Sequence, residues 1–155
     1  MIFREAVVAD IAGMHAVRVS VNENVLSDPA LITFKDYEDF IVHRGKGWVC
    51  EIENEIAGFA IIDLHEHNIW ALFVEPAYEG KGIGRKLHRL MLDWYFSKNQ
   101  NRVWLGTEPG SRAAKFYKTA GWKQVGTHGK NELKFEITAE EWKLKVEIAL
   151  RRLNT

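Results

Sequence analysis

Three glycines stand at alternate positions, Gly80, Gly82 and Gly84, beside Lys81, Arg85 and Lys86. Glycine lets backbone approach a ligand closely and take positive φ, and the three bases add positive charge. Residues 69–74 before them form an apolar, strand-like run that ends at the turn residue Pro76. After them Leu87, Leu90, Met91, Trp94 and Tyr95 recur at helical spacing. The order is strand, glycine loop, helix. It aims backbone N–H groups and the positive end of a helix at one point, which is the physical description of a phosphate site. The competing reading is a glycine turn that merely enters a surface helix. A P-loop would need Ser or Thr after a Gly-Lys pair, but Arg85-Lys86-Leu87 follows Gly84 and places no hydroxyl for magnesium. A dinucleotide fingerprint would need glycine where Arg85 stands.

Two stretches carry a resemblance to a known family. Leu72-Phe73-Val74-Glu75-Pro76 followed by Glu79-Gly80-Lys81-Gly82-Ile83-Gly84-Arg85 resembles the acetyl-CoA loop of the GNAT N-acetyltransferases. Ala113-Ala114-Lys115-Phe116-Tyr117-Lys118-Thr119-Ala120-Gly121-Trp122 resembles that family's later aromatic motif, in the expected order and spacing. Element order agrees over positions 1–138, while the specific residues are confined to these two stretches. Three positions depart from the pattern. Glu79 replaces the usual Gln or Arg, Gly110 stands where many members have Asn, and Trp122 replaces Phe. A carboxylate at Glu79 is unfavourable beside a pyrophosphate unless it points away.

The resemblance implies transfer of acetyl from acetyl-CoA to a primary amine, by direct attack in a ternary complex. The amine belongs to a small molecule or a peptide. It must be neutral to attack, although alkylamines resemble lysine, with a pKa of about 10.4. The oxyanion needs an N–H donor, and the departing thiolate gains from an acid. By resemblance, the backbone of Leu72, Phe73 and Val74 pairs with the pantetheine, and the amides from Gly80 to Arg85 take the diphosphate. Tyr117 matches the tyrosine that faces the sulfur, a phenol still protonated at neutral pH; the alternative is a purely structural ring, with Phe116 able to supply the core instead. Glu108 is the candidate general base, weighed against a solvated loop carboxylate. Trp70, Asp63, His65, His67, Glu23 and Asn24 are candidates for the acceptor side, and a water chain could replace any single base. His65-Glu66-His67 offers two alternating imidazoles but no identifiable third ligand, so no metal is expected. A non-catalytic acyl-CoA-binding regulatory module is the alternative function.

The rest of the chain sets bounds. Its 155 residues suit one domain, with 139–155 as a helical extension. Apolar residues make up 46%, enough for a core. A formal charge of zero indicates neither a nucleic-acid field nor a polybasic membrane surface. One cysteine, Cys50, excludes an internal disulfide and fits a reducing compartment. No apolar run reaches membrane-spanning length, and no leader-like segment opens the chain, so a soluble cytoplasmic protein is expected.

Element by element, residues 2–6 read as a strand, and Asp10 N-caps or opens a helix carrying Ile11, Met14, Val17, Arg18 and Val21. Residues 22–30 form a polar turn region. A second helix starts near Thr33, with Asp36 completing a capping box and Gly45-Lys46-Gly47 ending it. Residues 48–52 and 56–64 form a hairpin, and Gly58 marks a bulge or close approach. Residues 103–105 are a buried strand, 112–120 a helix stopped by Gly121, and 122–125 with 133–137 a final hairpin. Thr138 and Glu141 cap a last helix with the stripe Trp142, Val146, Ala149, Leu150 and Leu153, which packs on its own domain or makes a homodimer. The expected fold class is α/β (α+β). It has a mixed, mostly antiparallel sheet flanked by helices, and the resemblance adds two parallel strands splayed apart at the cofactor cleft.

Overall fold

The computed structural model describes residues 1–21 and 29–154. The expected polar turn region lies largely outside them, as do Glu23 and Asn24. The fold is mixed α/β: seven strands, mostly antiparallel, flanked by helices. The chain divides into two compact units, Met1–Tyr95 and Phe96–Thr155. Among the described residues no helix is long and apolar enough to cross a membrane.

The first unit holds β1 (Ile2–Glu5), α1 (Ile11–Ser20), α2 (Phe34–Glu38), β2 (Gly45–Ile52), β3 (Glu55–Asp63), β4 (Asn68–Val74) and most of α3 (Ile83–Lys98). The strands pair antiparallel in the order β1-β2-β3-β4. The β2–β3 hairpin turns through Glu53 (φ 51°) and Asn54 (φ 65°), the left-handed pair that suits the twist of a two-residue turn. Trp48, Val49 and Cys50 are all buried. This strand is covered on both faces, so burial does not alternate along it. Ile11, Met14 and Val17 of α1 pack with Tyr37, Val49, Phe59, Ile61 and Ala71 on one face of the sheet. On the other face a Cβ at Gly58 would lie 3.1 Å from Ile83 Cγ2 and 3.3 Å from Leu87 Cδ1 of α3. Gly58 also flanks a register shift, since Cys50 pairs with it while Glu51 pairs with Ile56. Both expectations for this glycine hold.

Two local readings are corrected. Gly45, Lys46 and Gly47 do not end a helix but begin β2. Glycine is needed at 45 because a Cβ there would collide with the carbonyl oxygen of Ile62. The helix passes instead into a wider π-type turn, Asp39–Arg44. Asp10 opens α1 from the N-cap position, as expected, but makes no side-chain cap to the helix. Its carboxylate accepts two hydrogen bonds from Arg4, at 2.8 and 2.9 Å, and one from the Val7 N–H at 2.8 Å.

Those bonds, that of Arg4 foremost, hold Asp10 below the usual carboxylate range against the opposing effect of burial. A carboxyl with a lowered folded-state pKa stabilises the fold above its unfolded pKa. That contribution is lost as pH falls through the folded value. Asp10→Asn should therefore cost about 2 kcal/mol at pH 7. The gap from the parent protein should close in acid, below the normal carboxylate pKa, as read by urea unfolding across pH. An equal gap at both ends of that range would remove the ion pair as the cause.

The second unit holds β5 (Val103–Thr107), α4 (Arg112–Thr119), β6 (Lys123–His128), β7 (Glu132–Ile137) and α5 (Ala139–Leu153). Its strands pair antiparallel in the order β5-β7-β6. Ser111 caps α4, its Oγ accepting from the Ala114 N–H at 3.1 Å. Gly121, at φ 100°, ends the helix as expected. Thr138 and Glu141 form the full capping box of α5. Lys145 Nζ donates to the Thr119 carbonyl at 3.0 Å, and Lys123 pairs with Glu141 at 2.8 Å. Trp142 is the buried member of the helix's apolar stripe, whereas Leu150 and Leu153 are exposed.

Candidate active site

The site is built from the end of β4 upward. Leu72, Phe73 and Val74 pair with Ala60, Phe59 and Gly58 of β3. Their side chains alternate, Phe73 toward the α1 cluster and Val74 toward α3. After the strand, Pro76 opens a short turn whose start is pinned by the Glu75 carboxylate, which accepts from the Ala77 N–H at 3.0 Å. The Tyr78 N–H donates to the Glu75 carbonyl at 2.9 Å and the Glu79 N–H to that of Pro76 at 3.3 Å. The next amide with a backbone acceptor is that of Lys86, which donates to Gly82 at 3.1 Å. Among the described residues this leaves the amides of Gly80, Lys81, Gly82, Ile83, Gly84 and Arg85 without a backbone acceptor.

The backbone supports that arrangement. Gly80 and Gly82 have φ of 78° and 79°, and a Cβ at either would meet nothing within 4 Å. Both glycines are thus required by conformation, and the space beside them is open. Gly84 sits in the first turn of α3, where a Cβ would lie 3.6 Å from Val74 Cγ2, so the helix start abuts the strand end. Lys81, Arg85 and Glu79 are exposed. Lys86 differs from expectation, because its ammonium lies 4.6 Å from the centre of the Phe3 ring on β1. Two residues further, His88 is buried, and burial pushes its imidazole down to about 4.

In the second unit Tyr117 is buried, edge-on to Phe116 at 5.3 Å and to Trp122 at 5.5 Å. Phe116 is only half-buried, so the tyrosine, not its neighbour, supplies this part of the core. Burial raises the Tyr117 phenol well above its ordinary pKa. Glu108 is exposed, and its carbonyl accepts from Ser111 Oγ at 2.8 Å. Just before it, Thr107 is buried, and its Oγ1 has no hydrogen-bond partner among the described residues.

The acceptor-side candidates separate. Asp63 is committed to Arg44, at 2.8 and 3.3 Å, and accepts from the His65 N–H at 2.9 Å. His67 Nδ1 is bonded to the Tyr95 hydroxyl at 2.8 Å, and His65 is exposed. Trp70 sits at an irregularity: Ile61 pairs with Ala71 and Ile62 with Ile69, so Trp70 is the extra residue of a β-bulge. The bulge places its indole with Ala71 and Phe73 against the α1 cluster. There it stacks on Phe40 at 4.2 Å and meets Tyr37 edge-on at 5.3 Å.

Arg18 joins the same cluster, its Cζ 4.5 Å from the centre of Phe73 and 5.8 Å from that of Trp70. In the sequence its one signal is a charged residue within an apolar helical stripe, which by itself points to no chemistry.

The acetyltransferase (GNAT) family model matches residues 12–122, and the chain belongs to that family. An uncharacterized N-acetyltransferase from Archaeoglobus fulgidus is 31% identical over 96 residues, which are 54% of this chain and 65% of that protein. The match thus spans less than two thirds of the relative's length. Solved structures share the fold. An N-acetyltransferase from Staphylococcus aureus Mu50 superposes with a TM-score of 0.73 at 16% identity, over 89% of this chain and 98% of the other. The PaiA N-acetyltransferase of Thermoplasma acidophilum, solved in complex with coenzyme A, superposes at 0.76 and 15% identity, over 88% and 98%.

Proposed function

We propose that this chain is one acetyl-CoA-dependent N-acetyltransferase domain acting on a primary amine of a small molecule or peptide. The single observation that carries the reading is the row of amides from Gly80 to Arg85, unclaimed by backbone at the start of α3. A diphosphate fits there: the donors are fixed, the helix end is positive, and no Cβ obstructs the two left-handed glycines. Acetyl-CoA supplies the activated acyl group as a thioester. The chain's own residues do the rest. Backbone of Leu72, Phe73 and Val74 positions the pantetheine and offers an N–H toward the thioester oxygen. Transfer forms a C–N bond and breaks a C–S bond; the amine gives up one proton and the thiol gains one. Tyr117 is the donor for the sulfur. Glu108, exposed on its loop, serves at most through water in collecting the amine proton. The lone buried Cys50 fits a reducing, cytoplasmic setting.

The loop is tested with one substitution. Gly82 holds φ of 79°, a conformation in which an L side chain is strained. Alanine there should pull the loop out of its left-handed turn and swing its amides away from the diphosphate. Loss of roughly one charge-assisted hydrogen bond corresponds to about tenfold weaker coenzyme A binding. Calorimetry should show that loss while the protein still unfolds cooperatively, with stability lower by about 1 kcal/mol from the backbone strain; unchanged affinity would remove the loop from the site. Thiol release on a panel of amines then separates the enzyme from a non-catalytic acyl-CoA-binding module. The exposure of Glu108 keeps that second reading in play, and coenzyme binding without turnover on any amine would establish it.

A further inference from the structure

We propose that Arg18 seats a carboxylate carried by the acceptor, so that the amine acetylated belongs to a small amino-acid-like molecule whose apolar body lies against Trp70 and Phe73. This rests on the acetyl-transfer reading above and narrows its substrate class.

Arg18 occupies the inward side of α1, one residue after the buried Val17. The faces of its guanidinium are satisfied by aromatic rings, Phe73 at 4.5 Å and Trp70 at 5.8 Å. Stacking uses only the face of the group; the N–H bonds lie in its plane and need acceptors of their own. Nε and Nη1 are buried, and among the described residues neither has a hydrogen-bond partner. The nearby hydroxyl of Tyr37 is already engaged by His15 Nδ1 at 2.9 Å. Burial pulls the guanidinium below its ordinary pKa, with Tyr37 acting in the opposite sense.

Buried guanidinium donors with no acceptor are costly to keep. Among the described residues Arg18 holds two of them beside the proposed acyl site, which is poised for an anion. The charge count selects the anion. The other cation in this aromatic cluster, Arg44 over Phe40 at 4.9 Å, is neutralised by Asp63. Among the described residues, Arg18 thus leaves one uncompensated positive charge beside these rings, which matches a singly charged carboxylate; a phosphate dianion would stay half-paired. Phe73 links this cluster to the acyl strand, since its ring faces α1 while its backbone belongs to the segment proposed to hold the pantetheine.

The test compares each of the twenty common amino acids with its carboxamide in a thiol-release assay with acetyl-CoA. At least one amino acid should exceed its amide tenfold or more in kcat/KM, mainly through KM, and Arg18→Gln should bring that ratio close to one. Equal rates on acid and amide overturn the proposal. So does a preference that persists in Arg18→Gln, or inactivity on every amino acid while coenzyme A still binds. A second measurement needs no variant and no turnover: tryptophan fluorescence of the parent protein titrated with 4-phenylbutyrate and with 4-phenylbutanamide. Saturable quenching by the acid at least tenfold tighter than by the amide supports the site, and equal responses refute it. Loss of coenzyme A binding would instead strike the acetyl-transfer reading, so the two failures are told apart.

Discussion

Tyr117→Phe should lower turnover on the order of a hundredfold, with coenzyme A affinity nearly unchanged. The substitution keeps the ring that meets Phe116 and Trp122 edge-on, so the fold survives and only the hydroxyl is lost. Burial disfavours the phenolate, so the neutral, proton-donating phenol is the favoured form. At first sight that makes it a poor acid for a thiol, whose ordinary pKa is about 8.5. In the proposed site, a thiol released beside Tyr117 would be raised too, because desolvation penalises each anion alike. The proton would then pass between groups whose affinities have risen together. Steady-state thiol release measures turnover, and calorimetry measures affinity. Unchanged turnover would leave Tyr117 as a core ring and nothing more.

Acid should destabilise the protein through His88 well before the carboxylates respond. Its imidazole is pushed down to about 4 by burial, against about 6.5 in an unfolded chain. Between those values the unfolded state binds a proton that the folded state refuses. Stability attributable to this residue is thus complete above pH 6.5 and drains away as pH falls toward 4. At ~1.4 kcal/mol per pH unit the loss is about 3 kcal/mol. That corresponds to a fall in Tm of about 10 °C for a domain of this size. His88→Gln should have a flatter profile across the same window. If parent and variant lose stability in parallel from pH 6.5 to 4, His88 is not the source.

The features most legible in the sequence are those fixed by neighbours in the chain. The capping boxes at Thr33–Asp36 and Thr138–Glu141 form because each partner lies three residues from the other. The glycine loop is legible because positive φ at Gly80 and Gly82 admits few other residues. What escaped depends on partners distant in sequence. Gly45 looks like a helix stop until the Ile62 carbonyl is seen against it. Asp63 looks available until Arg44 arrives from the preceding turn. Arg18 stands out in the sequence only as a charge within an apolar helical stripe, and the fold wraps it in Phe73 and Trp70. Tyr117 lies between these cases, since its motif is local while its burial is a property of the packed molecule.

The odd residue in β4 bears on how such a strand can change over generations. Side chains alternate along a strand, so gaining or losing a residue elsewhere in it would turn one stretch inside out. At the bulge this does not hold. Ile69 pairs with Ile62 and Ala71 with Ile61 on either side of Trp70, so a deletion of that one codon would remove the indole and leave both neighbours facing as they do now. The bulge is thus a place where lineages can add or drop one aromatic side chain against the α1 cluster in a single step, without disturbing the pairing of Leu72, Phe73 and Val74.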